Sequence, residues 1–300
     1  MTISHQPQAA GLPCLSQQAL QASGLSAAEL ERLTGVARRA AAAGGAELTR
    51  HYGKLRQIRE KGRAGDLVTE ADLAAEQAVL AVLAAESAGV AVLAEESGRS
   101  VTRSDLEWCV DPLDGTTNFA HSFPLFATSV GLTWRGLPLL GAIEVPALKE
   151  HYWAAPGLGA WCNEQPIQVS GCTELSASLL VTGFAYDRTT QPDTNYTEFC
   201  WFTHRTHGVR RGGAAALDLA FVAAGRLDGY WERGLSPWDL AAGVVLVEQA
   251  GGIVSAYDGT PLLLADGRLI ATTPALHGAL IDGLAQCRPL PGALFGAPEL

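Results

Sequence analysis

The order of periodic segments predicts an α+β fold, in which helices and strands are grouped along the chain rather than strictly alternating. Three observations carry this. A pair of helical segments comes first, strand-like pieces broken by Gly and Pro follow from Phe126 to about Trp161, and mixed helices and strands complete the chain. With 300 residues, of which 48% are hydrophobic and 17% charged, the chain can bury a large core, as one big domain or as two closely packed halves.

Residues 1 to 24 are rich in Gln, Ser, Ala and Pro without a period and read as a flexible tail, as does the Pro-rich stretch 288–300. Ser26-Ala-Ala-Glu29 is a capping box, and the Ala-rich segment behind it predicts a long helix to about Thr49. After the basic turn 61–65 comes Asp66-Leu-Val-Thr-Glu-Ala-Asp72, then an apolar-periodic run that places Asp72 near a helix start. Val90–Leu93 and Leu106–Val110 have strand length, and each ends on carboxylates. The pieces from Phe126 to Trp161 read as an antiparallel meander. Helices are expected around 193–207, 213–225 and 239–250, with strands at Leu179–Thr182 and Leu227–Trp231, and Gly251-Gly252 as a left-handed helix stop. The expected division is a tail 1–24, a first half 25–165, a second half 166–287 and a tail 288–300.

A balance of 21 Lys+Arg against 31 Asp+Glu, net charge −10, excludes a nucleic-acid platform, which needs a basic face. A small phosphorylated substrate is compatible with it, given local cations such as bound metal ions. No run of about 18 apolar residues and no basic, apolar leader is present, so a cytoplasmic protein without membrane attachment is expected. The six cysteines (Cys14, Cys109, Cys162, Cys172, Cys200, Cys287) form no C-x-x-C pair and read as buried reduced thiols.

Candidate chemistry concentrates in Asp111-Pro-Leu-Asp114-Gly-Thr116-Thr117-Asn118-Phe119. An apolar strand ends in Asp111, Pro112 forbids its continuation, and Asp114 follows, so both carboxylates can enter one small volume. Hard oxygen donors of this kind suit Mg²⁺, and two such ions about 4 Å apart would clamp a phosphoryl transfer. Gly115-Thr116-Thr117 opens a short helix whose free amides favour an anion. An isolated D-G-T would equally make a capped turn in which Asp114 serves the Thr116 and Thr117 amides. Glu95 after a strand, Asp239 at a helix start and Asp72 at another add weight, because active sites of layered folds collect at element ends. A covalent aspartyl-phosphate needs D-x-D-G-T; here Leu113 or Thr116 stands where the second carboxylate belongs, so an activated water is preferred.

These residues resemble the inositol monophosphatase family, within the wider group of Mg²⁺-dependent, lithium-sensitive phosphatases that includes fructose-1,6-bisphosphatases. The resemblance covers Asp66–Asp72, Glu95-Glu-Ser, Asp111–Phe119, Gly213–Ala216, Glu232 and Trp238–Gly243, in family order. It implies a layered αβαβα sandwich of the sugar-phosphatase type, with most metal ligands in the first half and substrate contacts in the second. Glu95, Asp111, Asp114, Asp239 and the Leu113 carbonyl would hold two or three Mg²⁺ ions. Asp72 and Thr116, with Glu95, would orient and deprotonate the attacking water. Gly115, Thr116 and Thr117 would hold phosphate, while Gly213, Ala214, Ala215, Glu232 and Asp239 would contact the polyol. Lys61 would lie on a mobile loop.

Glu232 is either that hydroxyl acceptor or a surface partner of Arg233. The run His204–Arg211 reads as a solvated helix end, with Arg210 or Arg211 reaching a second phosphate or a subunit neighbour as the other option. The expected activity is Mg²⁺-dependent hydrolysis of inositol 1-phosphate. Histidinol phosphate, fructose 1,6-bisphosphate or 3′-phosphoadenosine 5′-phosphate are alternative substrates, and a non-catalytic scaffold protein is the alternative of another class. A homodimer follows from the resemblance alone.

Overall fold

A computed structural model describes residues 12–55, 57–60, 67–189 and 191–288. The first part of the chain holds α1 (Leu15–Ser23), α2 (Ala27–His51), β1 (Ile58–Glu60), β2 (Leu67–Thr69), α3 (Glu70–Glu86), β3 (Ala91–Ala94), β4 (Gly98–Arg99), β5 (Leu106–Asp114) and α4 (Thr116–Ala120). The meander follows as β6 (Ala127–Trp134), β7 (Leu137–Val145), β8 (Glu150–Ala155), β9 (Gly159–Cys162) and β10 (Gln165–Pro166). The remainder is β11 (Leu179–Thr182), α5 (Tyr196–Thr203), β12 (Gly208–Arg211), α6 (Ala215–Ala223), β13 (Gly229–Arg233), α7 (Pro237–Gln249), β14 (Ile253–Ser255), β15 (Arg268–Thr272) and α8 (His277–Gln286).

The strands form an eight-stranded sheet, β10-β9-β8-β7-β6-β5-β3-β4, a five-stranded sheet, β12-β11-β13-β15-β14, and the ribbon β1-β2. Period-two alternation explains the layering. In β5, Trp108 and Val110 pack with Val36, Ala40 and Val79 of α2 and α3, while Cys109 between them joins the cluster of α6 and α7. In the smaller sheet, Val181, Tyr230 and Ala271 face that same α6–α7 layer, and Leu180, Trp231 and Ile270 face Phe202 of α5 and Leu280 of α8. The result is the layered αβαβα sandwich that the resemblance implies. The central helix approaches very closely: a methyl group at Gly141 would lie 2.4 Å from Ala242 Cα, so only glycine admits α7 at that height.

Several details depart from the sequence reading. Segment 12–24 is not a loose tail, because α1 forms there and buries Leu15 and Ala19; residues 1–11 and 289–300 lie outside the described residues. Ser26 caps α2 by accepting from Glu29 N at 3.2 Å, but the Glu29 carboxylate does not return to the cap and instead pairs with Arg32. The run 204–211 is not simply a helix end: His204 closes α5, and Gly208–Arg211 forms β12, an edge strand parallel to β11. The last helix, α8, and the strands β14 and β15 were not anticipated. Of the cysteines only Cys109 and Cys287 are buried, whereas Cys200 is exposed. Among the described residues no helix is long and apolar enough to cross a membrane.

Candidate active site

β2 ends at Thr69, which begins α3 through a reciprocal cap. The Thr69 hydroxyl accepts from Ala71 N at 3.1 Å, and Asp72 Oδ2 accepts from Thr69 N at 2.8 Å and Thr69 Oγ1 at 2.6 Å. Asp72 is fully buried, and its other oxygen, Oδ1, lies 3.1 Å from Thr116 Oγ1. The Thr116 hydroxyl is also 3.0 Å from the Leu113 carbonyl. It has one proton and two acceptors, so it can orient a water and exchange its own proton with Asp72.

β5 does not stop at Asp111. It continues to Asp114 through an irregularity in its pairing with β6, at the point where Pro112 has no N–H to donate. The bulge re-aims both acids. Asp111 Oδ1 accepts from Leu113 N at 3.0 Å. Asp114 turns neither oxygen to the Thr116 and Thr117 amides; Oδ1 accepts from Ala215 N at 2.8 Å and Oδ2 from Leu217 N at 3.1 Å, so the carboxylate sits on the N-terminus of α6.

Glu95 follows β3, whose parallel pairing with β5 brings the ends of both strands together, with Glu95 N bonded to Val110 O at 3.1 Å. Asp239 lies in the first turn of α7, where Oδ2 accepts from Ser236 N at 2.6 Å in a second capping box. The convergence has an electrostatic consequence. Burial, then Glu95, Asp114 and Asp239, push the Asp111 carboxyl well above the usual carboxylate range. Burial, then Glu95, push Asp239 up to about 8. Burial raises Asp114 to about 7 against the lowering effect of the Leu217, Ala215 and Ala216 amides.

Among the described residues no three His, Cys, Asp or Glu side chains stand in ready metal-binding geometry. Asp114 explains this in part, since both of its oxygens bond to amides. The donor chemistry nonetheless fits a hard divalent cation: carboxylates raised by burial and then by mutual repulsion, beside a peptide carbonyl, are what oxygen-seeking ions stabilise.

The predicted substrate residues gather beside this cluster. Gly115 has φ +87°, and a methyl group there would lie 2.9 Å from Leu125 O, 3.1 Å from Ala214 Cβ and 3.3 Å from Gly213 O. Gly115, Gly213 and Ala214 thus meet at one point, with Ala215 bonded to Asp114 and Thr117 in the short α4. Glu232 is not a surface partner of Arg233. It is buried and accepts from Tyr230 Oη at 2.6 Å, while Arg233 pairs with Asp187. Burial raises Glu232 to about 7. Arg211 reaches back over Gly213, where a methyl group would meet its guanidinium at 2.4 Å, whereas Arg210 lies against Gly208. Lys61 and Asp66 lie outside the described residues.

Two side chains here carry roles that the sequence reading did not assign. Asn118 Nδ2 donates to Leu125 O at 2.7 Å and Gly212 O at 2.9 Å, tying α4 to the segment before α6. Asp218, on the first turn of α6, is buried, faces Glu232, Asp114 and Arg211, and has no hydrogen-bond partner for Oδ2 among the described residues. Asn118 lies within the Asp111–Phe119 motif; Asp218 is a polar position in an otherwise apolar helix.

The chain is 52% identical over 261 residues to an inositol-1-monophosphatase of Synechocystis sp., covering 87% of this chain and 91% of that protein. It is 40% identical over 268 residues to a Nus factor SuhB of Pseudomonas aeruginosa, covering 87% and 98%. The structure of an inositol monophosphatase from Anabaena (Nostoc) sp. PCC 7120 superposes with a TM-score of 0.81 at 49% identity, covering 87% of this chain and 98% of that one. The profile of the inositol monophosphatase family matches residues 29–288, and the chain belongs to that family.

Proposed function

We propose that this protein is a phosphomonoesterase that hydrolyses inositol 1-phosphate to inositol and phosphate. The observation that carries the reading is the buried pair Asp72–Thr116, 3.1 Å apart, beside the carboxylates Glu95, Asp111, Asp114 and Asp239. With the Leu113 carbonyl, those side chains would hold Mg²⁺, two or three ions by family resemblance. The bound metal supplies charge neutralisation and lowers the pKa of water.

The chain's own residues do the rest. Thr116 Oγ1 orients the water, and Asp72 Oδ1 takes the proton that the hydroxyl relays, held in place by its two bonds to Thr69. Gly115 allows Ala214 and the Gly213 carbonyl to approach, which sets the turn that would hold phosphate against the segment before α6. Glu232, fixed by the Tyr230 hydroxyl, accepts from ring hydroxyls of the polyol. A homodimer, lithium sensitivity and a cytoplasmic location belong to the same reading.

The test is phosphate release with and without millimolar Mg²⁺ over inositol 1-phosphate, histidinol phosphate, fructose 1,6-bisphosphate and 3′-phosphoadenosine 5′-phosphate. Mg²⁺-dependent turnover led by inositol 1-phosphate is expected. Another leading substrate keeps the mechanism and changes the pathway. No turnover on any would favour the scaffold reading, which the name Nus factor SuhB of the Pseudomonas aeruginosa relative brings forward.

A further inference from the structure

Glu76 lies one helical turn beyond Asp72 on the same face of α3, and both carboxylates are buried. Asp72 serves the Thr69–Thr116 side of the site. Glu76 serves the other side: its Oε2 accepts from Glu96 N at 2.9 Å, across 20 residues of sequence. The preceding amide, Glu95 N, is bonded to Val110 O of β5 at 3.1 Å. Two successive amides are therefore pinned from two directions, one by a strand and one by a helix. The peptide on either side of the Glu95 Cα is fixed, and with it the direction of the Glu95 side chain toward Asp111, whose carboxyl it helps to raise.

We propose that Glu76 is a positioning residue for the metal centre: its carboxylate holds the Glu96 amide and thereby presets Glu95 as a ligand. The inference rests on the reading above that Glu95 binds the ion. A ligand held in place before binding loses no backbone freedom when the cation arrives, which raises affinity without any contact between Glu76 and the metal. The role depends on accepting a hydrogen bond and not on charge, so an amide carbonyl at the same reach should serve.

The experiment is calorimetric titration of the metal-free protein with MgCl₂ and with MnCl₂, for wild type, Glu76→Gln, Glu76→Ala and Glu76→Asp. Metal-dependent activity and thermal melting are measured in parallel. Glu76→Ala and Glu76→Asp, which cannot reach the Glu96 amide, are expected to bind metal roughly 10- to 100-fold more weakly. Both should need correspondingly more Mg²⁺ for half-maximal rate while keeping kcat at saturating Mg²⁺ within a few-fold, and Glu76→Gln should stay near wild type in both. Wild-type metal affinity in folded Glu76→Ala or Glu76→Asp would overturn the proposal. So would equal weakening in Glu76→Gln, which would assign the effect to charge. If Glu76→Ala does not fold, the Asp and Gln variants decide. Absence of metal binding by the wild type would instead strike the underlying reading of the site.

Discussion

Glu248 of α7 and Leu15 of α1 are 233 positions apart, yet the Glu248 carboxylate accepts from the Leu15 amide at 2.7 Å. Its other oxygen takes Ser16 N at 2.9 Å and Ser16 Oγ at 2.6 Å. A side chain of the central helix layer thus caps the N-terminal helix, whose own N-cap position, Cys14, makes no side-chain cap bond. Glu248→Ala leaves these buried donors unpaired, a loss of about 1–3 kcal/mol, and should lower Tm by roughly 5 °C. Turnover at 25 °C should be unchanged, since Glu248 has no part in the site. A melting curve that superposes on wild type would show that α1 is not held by this bond.

Asp111→Asn makes the opposite trade. Asn keeps the shape and can still accept from Leu113 N, but it removes one of the like charges that Glu95, Asp114 and Asp239 oppose in a buried volume. Activity should fall roughly a thousandfold or more, the scale of losing a central catalytic group. The metal-free variant should melt higher than metal-free wild type, by a few degrees for about 1 kcal/mol of relieved repulsion. Added Mg²⁺ should raise the melting temperature of wild type and much less that of the variant, because binding to the folded state stabilises it. Retained turnover would refute the metal-ligand role of Asp111.

Thr116→Val tests the proton path. Valine matches threonine in shape and lacks only the hydroxyl that lies between Asp72 Oδ1 and the Leu113 carbonyl. The expected loss in kcat is about 100-fold, at the lower end of general-base contributions. Mg²⁺ affinity should stay near wild type, since Thr116 enters no proposed ligand set. Asp72 keeps its bonds to Thr69, so the fold should persist. A variant with wild-type kcat would remove Thr116 from the mechanism.

What was legible in the sequence follows from how local each signal is. The Asp111–Phe119 segment, Trp238-Asp239 and the first turn of α3 announce themselves because a proline, a cap or a glycine turn is set by neighbours a few residues away. Glu76, Asp218 and Glu248 carry no local signal because each lies in a largely apolar helical run, and its partner or surroundings come from elsewhere in the chain: Glu96, the charges of Arg211 and Glu232, and α1. The same distance hid α1, a short helix whose first amides find their acceptor in Glu248 of α7. Glu232 and Arg233 show a subtler limit. They are sequence neighbours, but successive strand positions face opposite sides, so Glu232 turns to Tyr230 while Arg233 turns to Asp187. Strand assignment separates the two readings; sequence proximity alone suggested a pair.

His277 sets a pH dependence remote from the carboxylates. Its ring lies between two hydroxyls, Ser255 Oγ 3.0 Å from Nε2 and Thr272 Oγ1 3.0 Å from Nδ1, and burial lowers its pKa from 6.5 to about 4. The folded state therefore keeps the imidazole neutral where the unfolded chain has already bound a proton. Between pH 6.5 and 4 the unfolded state carries the extra proton, so the His277 contribution to stability falls as pH falls through that window, opposite in sign to that of the raised carboxyls of Asp114, Asp239 and Glu232. The full fall is worth about 3 kcal/mol, less the share that solvent screens at a ring not wholly buried. His277→Gln offers a donor and an acceptor to the same hydroxyls without titrating. Urea denaturation should show the stability of the variant rising relative to wild type between pH 7 and pH 4.5. A difference between the two proteins that is the same at both pH values would mean that His277 carries no part of the pH dependence in this range.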